Sequence, residues 1–297
     1  MTRGSTTRPA RICVTNAKGG TGKTTIAINV AGALNDRGRD VLFVDLDPQG
    51  NATEGLGLMD AYDARPPTLF DALTGSPAVF GDLIVEHEEM DVVPSNIDML
   101  QAEHELTIAD LFARINTEGL DVDPAVLSTF AINATPDMVR GDHALDTLDR
   151  ALDAVSGYDY IIIDSPPFYG NLTDTGVYAA QHVLVPALAE STSERAIELL
   201  MDQMVALEQQ TDITVEMLGV VANRIETTSE AKTMVKWFQS AFPHSPVWQV
   251  RKRVALQRAY SEGNSVFGTD ESCDMAEVFS RIAAEFDTKF GYREVTA

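Results

Sequence analysis

Lys18-Gly19-Gly20-Thr21-Gly22-Lys23-Thr24-Thr25 lies between two stretches of opposite periodicity. Before it, Arg11-Ile12-Cys13-Val14-Thr15 reads as a short buried strand. After it, Ile26, Ala27, Val30, Ala31 and Leu34 recur at helical spacing. With Ala17 in place of the first glycine, the stretch fits the phosphate-loop pattern G-x-x-x-x-G-K-[ST] in the strand–loop–helix context that the pattern requires. Glycines let the backbone curl so that several N–H groups point at phosphate oxygens, and the helix N-terminus adds its free N–H groups and partial positive charge. In such a loop Lys23 reaches the β- and γ-phosphates, and Thr24 places its hydroxyl on Mg²⁺.

Outward from the loop, strands and helices alternate. Arg11–Thr15, Asp40–Val44, Met90–Pro94, Asp159–Ile163, His182–Pro186 and Met217–Ala222 are rich in Val, Ile and Leu and bounded by turn signals. Between them, Thr24–Asp36, His143–Val155, Ser193–Gln209 and Ser229–Ser240 are amphipathic. Near-continuous apolar strands separated by helices predict an α/β fold of a single domain: a mostly parallel sheet covered by helices on both faces. Ligands of such sheets bind at the carboxyl ends of the strands. The phosphate loop, Asp47 and Asp164 all follow strands and so converge on one edge. Residues 1–10 read as a loose polar tail and 11–297 as the domain, with residues 107–141 as a less regular surface insertion.

Asp164 ends the run Ile161-Ile162-Ile163. An acid there holds Mg²⁺ through water in phosphate-loop enzymes; the competing reading is a cap for the turn Ser165-Pro166-Pro167. Asp45 and Asp47 are two residues apart and share one face of an extended chain.

The 297 residues carry a formal charge of −23, with 45 acidic side chains against 22 Lys and Arg. Lysine is scarce, and none occurs between Lys23 and Lys232. Such a surface suits a protein working in concentrated salt, where charges are screened within a few ångströms; a merely acidic protein is the alternative. No apolar run approaches the ~20 residues of a membrane span. The residues before the first strand have no apolar core for a signal peptide, so a cytoplasmic protein is expected. Cys13 and Cys273 are far apart in sequence, which argues for a reducing compartment and against a metal or iron–sulfur site. In this acidic chain Arg251, Lys252, Arg253 and Arg258 stand together. They read either as a phosphate-binding surface for DNA or as partners of nearby acids.

With Lys18 as a second loop lysine, the chain resembles the ParA/MinD family of deviant Walker ATPases, whose loop reads K-G-G-x-G-K-T-T. Val41 to Asn51 resembles the family's D-x-D-P-Q-x-N switch, Tyr160 to Pro167 its Walker B strand, and Val221-Ala222-Asn223-Arg224 its adenine-side segment. The closest branch is the Soj-like, DNA-partitioning ParA proteins. The resemblance implies ATP and Mg²⁺ as ligands, with Lys18 to Thr25 holding the phosphates and Asn223 pairing with adenine. Thr24, Asp45 and Asp164 serve the metal, and Asp47 orients or deprotonates the attacking water. Lys18 reaches the nucleotide of a second subunit, so that ATP joins a homodimer. That dimer binds DNA without sequence preference on the nucleoid, and a ParB-like partner stimulates hydrolysis and release. Arg251 and Arg258 replace a proline and a glutamate of the family's late motif. A ParA-like positioner of protein cargo would share every one of these residues. A MinD-like membrane binder would need a basic amphipathic tail, whereas Ala283 to Glu294 carries acids and a glycine. Metal-carrier relatives have paired cysteines that this chain lacks.

Overall fold

The computed structural model describes residues 8–119, 123, 126, 129 and 143–292. Its strands are β1 (Ala10–Val14), β2 (Val41–Asp45), β3 (Asp91–Val93), β4 (Tyr160–Asp164), β5 (His182–Leu188), β6 (Glu216–Ile225) and β7 (Val247–Arg251). They form a seven-stranded parallel sheet in the order β3-β2-β4-β1-β5-β6-β7. The helices are α1 (Lys23–Asp36), α2 (Asn51–Gly55), α3 (Met59–Tyr62), α4 (Leu69–Thr74), α5 (Ala102–Glu118), α6 (Thr147–Leu152), α7 (Asn171–Ala180), α8 (Thr192–Gln210), α9 (Ser229–Ala241), α10 (Val254–Ser261) and α11 (Ala276–Phe290).

The period-2 alternation of each strand splits the core into two layers. Leu42, Val44, Ile161, Ile163, Val183 and Val185 face one side and pack with apolar residues of α4 to α9. Ile12, Val14, Phe43, Tyr160, Ile162 and Leu184 face the other and pack with α1, α10 and α11. Every residue of β1, β2 and β4 is buried, which is why these strands carry no polar alternation.

The six strands read from the sequence are present within a few residues of their expected ends. The structure adds β7, which sequence analysis absorbed into the basic segment. Its signal was there: Trp248 and Val250 are buried while Gln249 and Arg251 are exposed. The helix expected over His143–Val155 is shorter, Thr147–Leu152. Residues 107–118 are not irregular but form the second part of α5, burying Ala109, Phe112 and Ala113. Most of the expected insertion beyond them lies outside the described residues, as do residues 1–7 of the expected tail. Arg8 is tied to Asp149 and Asp153, and Ala10 already belongs to β1.

The last helix is part of the core. Val278, Phe279, Ile282, Ala283 and Phe286 of α11 are buried, so its apolar face is covered by α1 and the sheet and is not free for a bilayer. No helix among the described residues is long and apolar enough to cross a membrane.

One polar knot fastens α11 to the sheet. Asp287 is buried and accepts from Arg37 Nε at 2.8 Å, from Arg39 Nε at 2.9 Å and Nη2 at 3.0 Å, and from the Tyr160 hydroxyl at 3.1 Å. Removing the carboxylate takes the two-pronged charge partner from the buried Arg39 and the acceptor from the buried Tyr160 hydroxyl, which costs more than the intact pair contributes. Asp287→Ala should therefore destabilise the protein by about 3–5 kcal/mol in chemical denaturation. A change below about 1 kcal/mol would show that α11 is held by its apolar face alone.

Candidate nucleotide site

Strand register assembles the site. β4 lies between β1 and β2, pairing Val14 with Asp164 on one side and Asp164 with Asp45 on the other. The loop after β1 therefore leaves the sheet beside two aspartates that are distant in sequence.

The loop is shaped by its own backbone and pinned from both flanks. Gly20 and Gly22 have φ of +75° and +88°, the left-handed region that favours glycine. Gly22 is also the N-cap of α1, and no side chain caps that helix. Its first N–H groups and the positive end of its dipole are left for an anion. On one flank, the buried Asn16 donates to the Pro186 carbonyl at 2.7 Å and accepts from Lys18 N at 3.0 Å. On the other, Asn223 donates to the Thr21 carbonyl at 2.8 Å. A Cβ on Gly22 would stand 2.2 Å from Asn223 Nδ2, so these two residues are locked by size as well. Sequence analysis did not single out Asn16. Its signal was weak, an asparagine at a strand end, where Asx turns are common.

Lys23 is 6% exposed. Burial pulls its ammonium below the usual lysine range, and Asp164 and Asp47 oppose that pull. Asp164 is wholly buried, and both its oxygens lack a hydrogen-bond partner. Burial raises its pKa well above the ordinary value, as does the charge of Asp45; the neighbouring Thr24 hydroxyl and Lys23 offset this only in part. Buried orphan acceptors are rare in native proteins and mark a missing partner. Here the partner fits a divalent cation: a hard carboxylate beside the threonine hydroxyl of a phosphate loop is the donor pair that Mg²⁺ takes in this context. Among the described residues no cluster of His, Cys, Asp and Glu would hold a metal unaided.

Asp45, expected to support the Mg²⁺ shell, has both carboxylate oxygens engaged by the protein itself. Its Oδ2 accepts from Thr53 N at 2.7 Å and Thr53 Oγ1 at 2.6 Å, and its Oδ1 accepts from Asp47 N at 3.2 Å. It thus ties the end of β2 to α2, and burial still pushes its pKa up to about 7. Asp47 is 4% exposed and accepts from Gln49 N at 3.0 Å. Burial raises its pKa; the Gln49 bond, Lys23 and the Asn51 amide work to keep it ionised.

Lys18 takes a different direction from Lys23. Its ammonium meets the start of α8, donating to Thr192 Oγ1 at 2.5 Å and lying 3.5 Å from Glu190 Oε2, with 28% of the side chain exposed. Asn223 was expected to face a base. The structure uses its amide on the loop, and its Oδ1 accepts from Arg224 N at 2.8 Å. Beside it opens a cleft of about 350 Å³, lined by Leu188, Glu190, Arg224, Glu226 and Lys252 among others.

The basic residues are together but not free. Arg253 makes a two-pronged contact with Asp274 at 2.8 Å for each prong, Arg251 reaches the same carboxylate at 2.7 Å, and Arg258 pairs with Glu271 at 2.7 Å. Lys252 faces the cleft. Of the two readings weighed in the sequence, pairing with nearby acids is the one the three arginines adopt here.

A parallel sheet with a glycine loop, a buried lysine and an orphan carboxylate at the ends of adjacent strands defines a phosphate-loop nucleotide-binding protein. Comparisons narrow this. A family model described as "AAA domain" matches residues 10–217. The chain is 30% identical to the sporulation initiation inhibitor protein Soj of Bacillus subtilis over 92% of its own length and 96% of that protein's. It is 28% identical to the chromosome partitioning protein ParA of Caulobacter vibrioides, covering 97% and 98% of the two chains. Among solved structures, an ATP complex of Cyanothece McdA superposes with a TM-score of 0.75 at 20% identity, covering 98% of this chain and 100% of that one, and shows the shared fold. The chain belongs to the ParA/MinD family of ATPases.

The raised carboxylates set a pH dependence. Asp45 has an ordinary value of 3.8 and sits at about 7 in the folded protein, so between those values the native state holds a proton that the unfolded chain has lost. Stability of the nucleotide-free protein should fall as pH rises through that window. Urea denaturation from pH 4 to 8 should show a shallower fall for Asp45→Asn than for the parent. Parallel curves would mean that Asp45 titrates normally.

Proposed function

We propose that the chain is a ParA-type partitioning ATPase that binds ATP with Mg²⁺, pairs with a second copy of itself, and in that state binds DNA without sequence preference. The observation that carries the reading is the division of labour between the two loop lysines. Lys23 is buried at the start of α1, where Asp164 and Asp47 both act on its charge. Lys18 stands at the rim on a partly exposed contact that contributes little to stability and is readily exchanged.

In this reading the N–H groups of Gly19 to Thr25 and the Lys23 ammonium bind the β- and γ-phosphates. Thr24 and Asp164 hold Mg²⁺, which when bound supplies positive charge against the phosphate oxygens. Asp45 would support the metal indirectly, by fixing the loop that carries Asp47 through Thr53 and the Asp47 N–H. Asp47 orients the attacking water and receives its proton as the bond from the γ-phosphorus to the ADP oxygen breaks, leaving ADP and phosphate. Burial makes Asp47 a better base than an exposed aspartate, while Gln49 N and Lys23 keep it in the ionised form it needs. The cleft beside Asn223 takes the base. Lys18 leaves Glu190 and Thr192 for the triphosphate of the second subunit, in the manner of an arginine finger supplied in trans. A ParB-like partner then accelerates hydrolysis.

DNA would be held by Arg251, Lys252, Arg253 and Arg258. Their pairs with Asp274 and Glu271 are solvent-exposed and weak, so phosphates can replace the acids. Arginine's directed fork depends less on long-range attraction than lysine's point charge, which suits high salt.

Lys23→Ala should abolish ATP binding. Lys18→Ala should bind ATP nearly as well as the parent yet remain monomeric in sizing chromatography with Mg–ATP; normal dimerisation by this variant would remove Lys18 from the interface.

Asp47→Ala should bind ATP and dimerise but slow single-turnover hydrolysis by roughly 10²-fold or more, as loss of a positioned general base does. Hydrolysis at the parental rate would exclude Asp47 as the residue acting on water.

The double variant Arg251→Ala/Arg253→Ala should lose ATP-dependent DNA binding while keeping ATPase activity. Equal DNA affinity of parent and variant across a salt titration would take this cluster off the DNA surface.

A further inference from the structure

Three hydroxyl groups hold three carbonyls of the Asp47 loop. Ser95 Oγ donates to the Asp47 carbonyl at 2.8 Å, the Tyr62 hydroxyl to that of Pro48 at 2.8 Å, and the Tyr260 hydroxyl to that of Asn51 at 2.6 Å. Ser95 follows β3 and Tyr62 ends α3, both within about 50 residues of the loop in sequence. Tyr260 comes from α10, 209 residues further along the chain than Asn51. That helix carries Arg258, begins at its N-cap Arg253, and follows Lys252 and Arg251.

The contact is built for transmission. The Tyr260 ring lies against Gly55 of α2, where a Cβ would stand 2.1 Å from the ring edge, so only glycine admits it. Asn51 places its carbonyl under the Tyr260 hydroxyl, and Gly50, the residue before it, donates its N–H to the Asp47 carbonyl at 2.9 Å, while the Asn51 amide helps to keep the Asp47 carboxylate ionised. One residue therefore connects the water-orienting acid to α10. The chain just past Tyr260 and the end of α10 is fixed separately: Glu89 accepts from Ser265 N at 2.7 Å, and Asn29 accepts from Val266 N at 2.9 Å. With the chain after Tyr260 anchored on α1 and its surroundings, a shift at Asn51 passes back along α10 toward Arg258 and Arg253. Burial and the nearby acids Glu54, Asp45 and Asp164 push the Tyr260 hydroxyl up to about 12, so it stays protonated and remains a donor at working pH.

We infer that Tyr260 is a positioning residue that couples the Asp47 loop to the basic helix Val254–Ser261. Through Asn51 it holds Asp47 for hydrolysis, and in return it carries the nucleotide state of that loop to the arginines. The coupling is reciprocal: whatever an occupied site does to α10, a ligand on α10 does to the site. The inference rests on the reading of the Asp47 loop as the hydrolytic loop, and it does not require that the ligand of the arginines be DNA.

The test is Tyr260→Phe, which keeps the ring on Gly55 and removes only the hydroxyl, with Tyr62→Phe as its comparator on the same loop. Three quantities are read for each protein: Mg–ATP affinity, kcat and KM for ATP hydrolysis, and hydrogen–deuterium exchange of the peptide spanning 254–262 with Mg–ADP and with Mg–ATP. Both variants should lower kcat by about three- to ten-fold at unchanged KM, the effect of one lost neutral hydrogen bond acting on the reacting geometry. Exchange in 254–262 should differ between the two nucleotides in the parent and in Tyr62→Phe, and the difference should vanish in Tyr260→Phe. A nucleotide-dependent difference that survives in Tyr260→Phe overturns the coupling. So does its loss in both variants, which would indicate general loosening of the loop, and so does its absence from a parent protein that binds and hydrolyses ATP. A parent that fails to bind Mg–ATP at all overturns the proposed function instead, and that failure is read from the affinity measurement alone.

Discussion

The insertion of β4 between β1 and β2 governs everything at the functional edge. Because Asp164 pairs with Val14 on one side and with Asp45 on the other, the glycine loop opens onto a row of buried acids with a single buried lysine to meet them. Burying carboxylates is costly, and the cost appears as the raised pKa values of Asp45, Asp47 and Asp164. Asp45 recovers part of it through Thr53 and the Asp47 amide. Asp164 recovers almost nothing and keeps both oxygens open. The protein's own groups satisfy such a site poorly, and in the proposed reading a cation on Asp164 and an anion on the loop would complete it. The polar imbalance that weakens the free protein is the same feature that gives the ligands their purchase.

Around that imbalance the backbone is held tightly. Asn16 and Asn223 pin the glycine loop to β5 and β6, while Ser95, Tyr62 and Tyr260 fasten the Asp47 loop. Phosphoryl transfer asks for positioning more than for unusual reactivity, so groups that fix carbonyls matter as much as those that touch phosphate. Lys18 is the exception, since its contacts at the start of α8 are partly exposed. Its rim position and weak restraint suit a residue whose target lies outside its own subunit.

The surface shows a second tension. With a formal charge of −23, the chain carries a compact basic group on β7 and α10 and covers three of its four members with its own acids. Covered arginines attract polyanions less at long range than bare ones. They still offer directed forks once a phosphate arrives close enough to displace a carboxylate. Control of α10 by the nucleotide, through Tyr260, would then decide when the exchange takes place.

The sequence by itself determined the phosphate loop, the parallel α/β fold and the strand-end placement of Asp47 and Asp164. All are local: glycines and a lysine at fixed spacing, apolar runs of strand length, and acids that end them. The spacing of Lys18 from Lys23 was equally plain, since it needs no knowledge of the fold. Only the tertiary structure decided what depends on residues far apart in the chain. It turned Asn223 onto Thr21, gave Asp45 to Thr53, set Asp274 and Glu271 against the arginines, and brought Tyr260 to Asn51. It also made α11 a core helix through Asp287 and claimed Val247–Arg251 as an edge strand, where the charges had drawn attention from the alternation of Trp248 and Val250. The division has one physical cause. Periodicity and motif spacing report what a segment does with its own neighbours, whereas the partner of a side chain is set by strand order, and no local pattern states that β4 lies between β1 and β2.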